Sequence, residues 1–546
     1  MKTIYDICVI GSGAGAGPII YELSKAGKKI VVLEKGQHYK REDFSKDEIA
    51  YTKRSIVTPN LNDEYHTIVE NNDEYTTTQA NWDFWNGSIV GGSSNFMSGF
   101  FHRLHPDDFQ LKTKFGTIKD ANIEDWPISY EQLEPYYDKV EKIVGVSGYA
   151  TPHKYESPRS SKNFPYPATT EHPIVNLIDK SAKQIGFTSV ITPRAILSQD
   201  IQNRDKCYYS NYCGSYGCSS GAKGSAREAL INPALKTKNV TLITNAFVIK
   251  LKEQNNKIVS AIYIDKNKNI KKEIFAKTFI VAGQAIETSR LLLNSSTNNF
   301  PNGLSNNSGQ VGKNLLFSGG GVVNGTFDEN SKIPLKDLMT EGYFVNRVIK
   351  DFYFFDQQKG GILELLFEHA NPIRKANKEK WDQNGNLVWG EELYKKLFYT
   401  FNKQKKLSIE IFNDWLPNDN CNVSIDKNRV DKYGINVAKI AIGSHPQNEI
   451  IGDKLATKAV KLLETMGAKD INGNISPYPP QNLQAGGCRF GNDSKTSVLN
   501  KHCQSHEISN LFVTDGSFMP TGGSVPYTFT IYANSFRVAD YLKKIL

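Results

Sequence analysis

The apolar positions of this chain fall into two periodicities. At the N-terminus a short apolar run, Ile7 to Ile10, breaks into Gly11-Ser12-Gly13-Ala14-Gly15-Ala16. A helical spacing follows, and a second apolar run, Ile30 to Leu33, closes on Glu34. That order predicts a strand, a tight turn, a helix and a parallel strand. Alternation over Val240 to Ile243, Ala246 to Leu251 and Lys257 to Ile264, with a turn at Asn255-Asn256, predicts hairpin material. Phe279-Ile280-Val281 is a buried strand meeting Ala282-Gly283, and the helix Ile286 to Leu293 follows it. Ser129, with Gln132 three residues on, is placed to cap a helix that runs through Leu133, Tyr137 and Val140. Residues 37 to 80 and 150 to 170 are polar and irregular and predict loops.

Between 320 and 475 the texture changes. Strand-like pieces (Gly361 to Phe367, Leu407 to Phe412) and one helix (Asp453 to Gly467) sit among Lys, Phe and Tyr. The first texture returns at the end, with a strand at Asn510 to Val513, then Asp515-Gly516, and a helix over Ile531 to Leu542. The predicted fold class is α/β: a Rossmann-like domain interleaved with an α+β substrate or cap domain. The expected division is 1–319, with inserted loops and a cysteine-rich segment at 207–218, then the cap at 320–478, then a return to the first domain at 479–546.

Composition narrows the function classes. The 546 residues are 39% hydrophobic, with mean hydropathy −0.45 and no apolar run of 18 residues, so no membrane-spanning helix is expected. The first apolar run leads straight into the glycine turn, which speaks against a cleaved signal peptide. By sequence alone the expected location is the cytoplasm. The net charge is +9, but the lysines are dispersed, as in Lys266-Asn267-Lys268-Asn269, without a basic stripe. Nucleic-acid binding is not expected.

The glycine run carries the first candidate chemistry. Gly11 permits a tight turn, Gly13 lets backbone approach a pyrophosphate, and Ala16 is small enough for close helix–strand packing. Glu34 can accept ribose hydroxyls. The turn Gly91-Gly92-Ser93-Ser94 suggests a second stretch of backbone held against a ligand. Three of the seven cysteines, Cys207, Cys213 and Cys218, cluster with Ser210 between them. They are open to three readings: an iron–sulfur cluster, a structural zinc site wanting a fourth ligand, or unligated thiols.

These pieces in this order resemble the glucose–methanol–choline (GMC) flavoprotein oxidoreductases. The matching residues are Gly11 to Ala16 with Glu34, Val90 to Ser94, Val281-Ala282-Gly283 with Ile286 to Arg290, Gly309 to Asn314, and Asp515-Gly516-Ser517 with Pro520. The resemblance implies FAD, with its adenosine at Gly11, Gly13, Ala16 and Glu34, its isoalloxazine near Gly92, Ser93, Asp515 and Gly516, and Gly91 also among the cofactor-binding residues. It also implies oxidation of an alcohol by hydride transfer to the flavin. The Cys207–Lys223 segment is similar to that of bacterial gluconate 2-dehydrogenase flavoproteins and their sugar-dehydrogenase relatives. That narrower resemblance implies a sugar acid or polyol as substrate and a [3Fe–4S] cluster on Cys207, Cys213 and Cys218. It further implies a small subunit with a cytochrome c-type acceptor, membrane association only through such partners, and export to the periplasm together with one. The alternatives are a GMC oxidase, a dehydrogenase of another alcohol, and a non-catalytic flavin or iron–sulfur electron carrier.

The sequence departs from the family where a base is expected. Leu483 stands at the histidine position before Gly486-Gly487, and Val525 stands at the His/Asn position before Pro526. An aliphatic side chain cannot take a proton. The expected substitutes are His102, past the Gly91-Gly92 turn, and the nearby polar residues Gln484 and Tyr527, with His445 as a further option.

Overall fold

The computed structural model describes the chain except residues 1–3, 50–56, 72, 81, 83, 85, 356–357, 476–478 and 480–481. Its nucleotide-type sheet has the strand order Val240–Ile243, Ile30–Leu33, Ile4–Ile10, Ile270–Val281, Lys257–Asp265, Ala246–Gln254. Ile4–Ile10 lies parallel to both of its neighbours, with Ile10 opposite Leu33 and Val281. The C-terminal strand Leu511–Val513 joins parallel to Phe279–Val281. Strands buried on both faces read as continuous apolar runs, which is why Ile7–Ile10 and Ile30–Leu33 show no alternation. The hairpin is Ala246–Gln254 with Lys257–Asp265, turning through Asn255 and Asn256 at φ +53° and +57°. Two left-handed residues match the right-handed twist of the strands. Val240–Ile243 lies outside this hairpin and pairs parallel with Ile30–Leu33.

The second sheet also has seven strands: Lys469–Ile475, Gly321–Asp328, Gln404–Asp414, Gly361–Phe367, Arg347–Ile349 and Ser189–Ile191 in order, with Ser318–Gly319 alongside Gln404–Asp414. All its pairings are antiparallel. Leu363, Leu365, Leu407, Ile409 and Ile411 bury one face in a core shared with Leu455, Leu462 and Leu463 of the helix Pro446–Met466. The period of two therefore turns Glu364, Leu366, Ser408, Glu410 and Phe412 toward the nucleotide domain. The helix starts one turn and more before the expected Asp453, because His445 Nδ1 accepts Gln447 N–H at 3.2 Å, and it ends at Gly467 with φ +81°.

Two stretches differ from the sequence expectation. Within the supposed loop 37–80, Thr67–Glu70 and Asp73–Thr76 form strands. They join Asn422–Val430 and Asn436–Ala441 in a four-stranded sheet. The stretch 320–478 is thus divided between two sheets, one of them begun by residues 67–76, while Ser189–Ile191 of the first segment joins the cap sheet. Both are pairings between distant segments, one central in its sheet and one at an edge, which local periodicity does not encode. The boundary expected at 478 lies outside the described residues.

Candidate functional site

Gly11 ends the first strand at φ +89°, and a Cβ there would stand 2.3 Å from the Ala282 carbonyl oxygen. Gly15 is equally constrained: its Cβ would lie 2.5 Å from both Thr514 O and Asp515 N. At Gly13 an added Cβ meets no protein atom within 4 Å, so this glycine faces open cavity. Ala16 is fully buried at the start of the helix Gly17–Lys25 and packs rather than lining the cavity. Glu34 accepts Ser12 Oγ at 2.5 Å on one oxygen and Gly36 N–H at 2.8 Å on the other. Burial pushes its carboxyl above the usual range, and these two donors oppose the shift.

Ser12 Oγ also accepts Gly91 N–H at 3.1 Å, which ties the second glycine turn to the first. Gly91 has φ +92° and no room for a side chain beside Arg227 and Asn95. Gly92 stacks on the same loop, its hypothetical Cβ 3.2 Å from Gly13 Cα. Ser93 lines the cavity and accepts Gly87 N–H at 2.9 Å. Asp515 takes Gln284 N–H at 2.9 Å and Thr288 Oγ at 2.5 Å on one oxygen, and the Ser517 amide (2.9 Å) and hydroxyl on the other. Burial still raises its pKa. Gly516 lines the cavity beside it.

These elements enclose a cavity of about 680 Å³ that runs from the glycine turns to the inner face of the second sheet. Its far wall carries Asn324, Ser408, Glu410, Glu368 and His369. Leu483 lines it at φ +58°, and Val525 is buried behind the lining. Gln484 lines it too, but its amide is engaged, donating to Phe84 O at 3.1 Å and accepting from Gln284 at 2.6 Å. Tyr527 lines the cavity as well. Its hydroxyl donates to Phe317 O at 2.5 Å, and burial drives the phenol well above its ordinary pKa.

The histidines are placed otherwise than expected. His102 does not line the cavity; it is buried with Nε2 2.8 Å from Glu364. Position along the chain after a glycine turn says nothing of side-chain direction, and this one points away. His445 caps a helix at Nδ1 and meets Lys119 O at 2.9 Å through Nε2. Among the described residues His369 is the one histidine that lines the cavity. Its Nδ1 lies 2.9 Å from Ser215 Oγ and its Nε2 3.4 Å from Ser98 Oγ. The sequence reading missed it because it stands in the poorly matched cap. Asn482 was missed as well; it lines the cavity, and its Oδ1 is buried with no hydrogen-bond donor among the described residues.

Cys207, Cys213 and Cys218 line one smaller cavity of about 100 Å³, with Ser210, Lys46, Arg194 and Lys223. It shares Ser98, Phe100, Leu366, Glu368 and His369 with the large cavity. Lys223 is buried and donates to the carbonyls of Cys213 and Tyr216 at 2.8 and 2.9 Å. Arg194 is held between the rings of Phe100 and Phe344 at 4.6 and 4.5 Å. Burial pushes the Cys207 thiol up to about 12. Burial also acts on Cys218, but Lys223 and the Ser220 hydroxyl outweigh it and bring that thiol below its ordinary pKa. Among the described residues no group of three or more His, Cys, Asp and Glu is disposed to hold a metal ion.

Family models of the GMC oxidoreductases match residues 65–317 and 417–535. The chain is a GMC oxidoreductase. Its fold is that of the family, a Rossmann-like FAD-binding domain joined to a substrate domain, and the glycine turns, the open face of Gly13 and Glu34 suit FAD. The GMC chain is 28% identical to 2-methyl-1,2-propanediol dehydrogenase of Mycolicibacterium austroafricanum, over 99% of this chain and 95% of that one. It is 24% identical to the gluconate 2-dehydrogenase flavoprotein of Pantoea cypripedii, over 95% and 90%. Pyridoxine 4-oxidase from Mesorbium loti shares the GMC fold at TM-score 0.62 and 14% identity, covering 98% of this chain and 99% of that one.

Proposed function

We propose that this GMC oxidoreductase is a dehydrogenase of a polyhydroxylated substrate, a diol, polyol or sugar acid. The observation that carries the reading is the polar far wall. Asn324, Ser408, Glu410, Glu368 and His369 offer hydrogen-bond donors and acceptors to several hydroxyls at once, where a hydrocarbon chain would be met by apolar lining. The two relatives named for a diol and for gluconate agree with it. FAD supplies the hydride acceptor when bound. Gly13 leaves room for its pyrophosphate, Glu34 would accept from its ribose, and Gly92, Ser93 and Gly516 would border its ring.

The proton leaves to His369. In the tautomer that donates Nδ1–H to Ser215, Nε2 is the acceptor, and an alcohol hydroxyl bound against the polar wall would give its proton there in place of the Ser98 contact at 3.4 Å. Such a base is worth roughly 10²- to 10⁴-fold. Leu483 then serves as an apolar wall, and the proton moves on the cap side of the cavity.

The thiol cavity is where an electron-relay group would sit. Cys207, Cys213 and Cys218 would hold a [3Fe–4S] cluster, which would supply one-electron relay from the two-electron flavin. Arg194, Lys223 and Lys46 would offset the negative charge of such a group. Tyr209 N–H and Lys223 N–H already point at Cys207 and Cys218 sulfurs, at 3.3 and 3.5 Å. The final acceptor is then a partner subunit with a cytochrome.

The test is anaerobic mixing of the FAD-loaded protein with a panel of diols, hexoses, polyols and gluconate, following flavin absorbance. One or more of these should bleach the flavin, and His369→Ala should slow the bleaching by about 10²-fold or more with FAD content unchanged. Bleaching by dithionite but by no alcohol overturns the reading in favour of an electron carrier. Stoichiometric peroxide in air points to an oxidase.

A further inference from the structure

The strands Gly361–Phe367 and Gln404–Asp414 are antiparallel neighbours, with Phe367 opposite Leu407. A short turn would join them. Instead the chain leaves the sheet for a helical hairpin, Pro372–Glu379 and Gly390–Asn402, before it returns. Neither helix has a single buried residue. A helix of that kind normally owes its stability to an apolar face packed on something.

The hairpin does have such a face. Tyr394, Phe398 and Phe401 follow one another at helical spacing and make one stripe. Tyr394 is 66% exposed and Phe398 47%. Trp389 at the mouth of the helix is 77% exposed, and Leu387 and Trp381 on the connecting turn are 58% and 47%. Eight of the eighteen exposed large apolar side chains among the described residues fall between 373 and 401, so this is a patch and not the ordinary scatter of a protein surface. The same hairpin is basic. Residues 372–403 hold seven lysines and arginines against four carboxylates. That excess of three is a third of the chain's net charge of +9.

We propose that this hairpin docks directly on the surface of a lipid bilayer carrying anionic headgroups. Aromatic side chains on one face with lysines around them are the composition of a helix lying in the membrane interface. Each lysine near an anionic leaflet adds attraction, whereas the cores of protein–protein interfaces are depleted in lysine. Among the described residues no helix is long and apolar enough to cross a membrane, which fits attachment to the surface. The hairpin is anchored to the body of the protein: the Glu48 carboxylate accepts Ile373 N–H at 2.7 Å and Arg374 N–H at 3.1 Å. Asn371 and Arg374, where the hairpin begins, also line the large cavity. Docking would bring that end of the cavity to the bilayer. This association is direct, where the sequence led us to expect association only through partner subunits.

The experiment uses the full-length FAD-loaded protein without substrate, so its outcome does not depend on the polyol reading. Sedimentation is compared with vesicles of phosphatidylcholine and of phosphatidylcholine with phosphatidylglycerol. The protein should pellet with the anionic vesicles, less so as salt is raised, and little with phosphatidylcholine alone. The double substitution Trp389→Ala, Phe398→Ala removes two exposed rings and should lower the bound fraction about 10-fold, with FAD content and the rate of flavin reduction by dithionite unchanged. Failure to pellet with anionic vesicles overturns the proposal. So does equal pelleting of the double variant, or a concentration-dependent dimer that the double variant loses, which would make the stripe an interface between copies of the chain.

Discussion

Glu364 offers a pH test of the buried pair that took the place of the expected base. Its side chain is fully buried, with Oε2 2.8 Å from His102 Nε2 and Oε1 accepting Thr192 Oγ at 2.6 Å. Burial pushes the carboxyl up to about 8 against the pull of Arg194, and burial holds His102 well below its ordinary value. Near neutral pH the pair is a carboxylic acid and a neutral imidazole. An unfolded Glu loses its proton near 4.3. Between that value and about 8 the folded chain therefore holds a proton that the unfolded chain lacks, and stability falls as pH rises. His102 acts in the opposite sense, since its folded value is depressed, but only below its unfolded value of about 6.5. Asp414, raised by burial to about 7, adds a smaller loss that fades across the same window and is common to wild type and variant. From about pH 7 to about pH 8 the loss attached to Glu364 works out at about 1 kcal/mol.

Glu364→Gln keeps an uncharged group of the same shape and abolishes the titration. The assay is the denaturant midpoint of both proteins across that window. The wild type should lose about 1 kcal/mol that the variant keeps, and flavin reduction should stay the same, because Glu364 does not line the cavity. His102→Ala should destabilise by about 2–4 kcal/mol, leaving Glu364 without its partner, and should not slow flavin reduction in the protein that remains folded. Equal pH slopes in wild type and Glu364→Gln would refute the protonated assignment. A slow but fully stable His102→Ala would return that histidine to the mechanism.

Two further outcomes follow from the glycine turns and the thiol cavity. Gly13→Val, whose side chain meets open cavity, should give a folded but colourless protein that FAD does not restore, while Gly15→Ala should lower the thermal midpoint even without FAD because its Cβ strikes Thr514 and Asp515; dye-monitored melting with flavin release reads both. Cys218→Ser, made with full cluster assembly, should drop from about three irons per chain to near none by metal analysis, with flavin still reducible by substrate; unchanged iron would move the cluster elsewhere, and no iron in the wild type would remove it.

Much of the nucleotide half is written locally. Ile7–Ile10, Gly11, Gly13, Glu34 and the Val281–Gly283 strand end declare themselves because a buried parallel strand and a turn against a pyrophosphate each demand particular residues in adjacent positions. The same holds for the absent base: Leu483 and Val525 sit inside well-marked motifs, so the departure is visible without coordinates. Gly15 is different. It looks like filler in a glycine run, and only the return of Thr514 and Asp515 from the far end of the chain shows that a Cβ there has no space. The choice among the histidines was likewise beyond the sequence. His102, His369 and His445 differ in where a strand or helix turns them, and that depends on pairings such as Gly361–Phe367 with Gln404–Asp414, made between segments whose register is set by a shared core. The sequence alone thus determined the FAD-type fold, and it showed Leu483 and Val525 where the resemblance implies polar residues. Tertiary structure decided which polar groups face the cavity, that three separated cysteines line one cavity with His369, and that a hairpin leaves the sheet with its aromatic stripe exposed, because each depends on contacts between parts of the chain that local patterning does not connect.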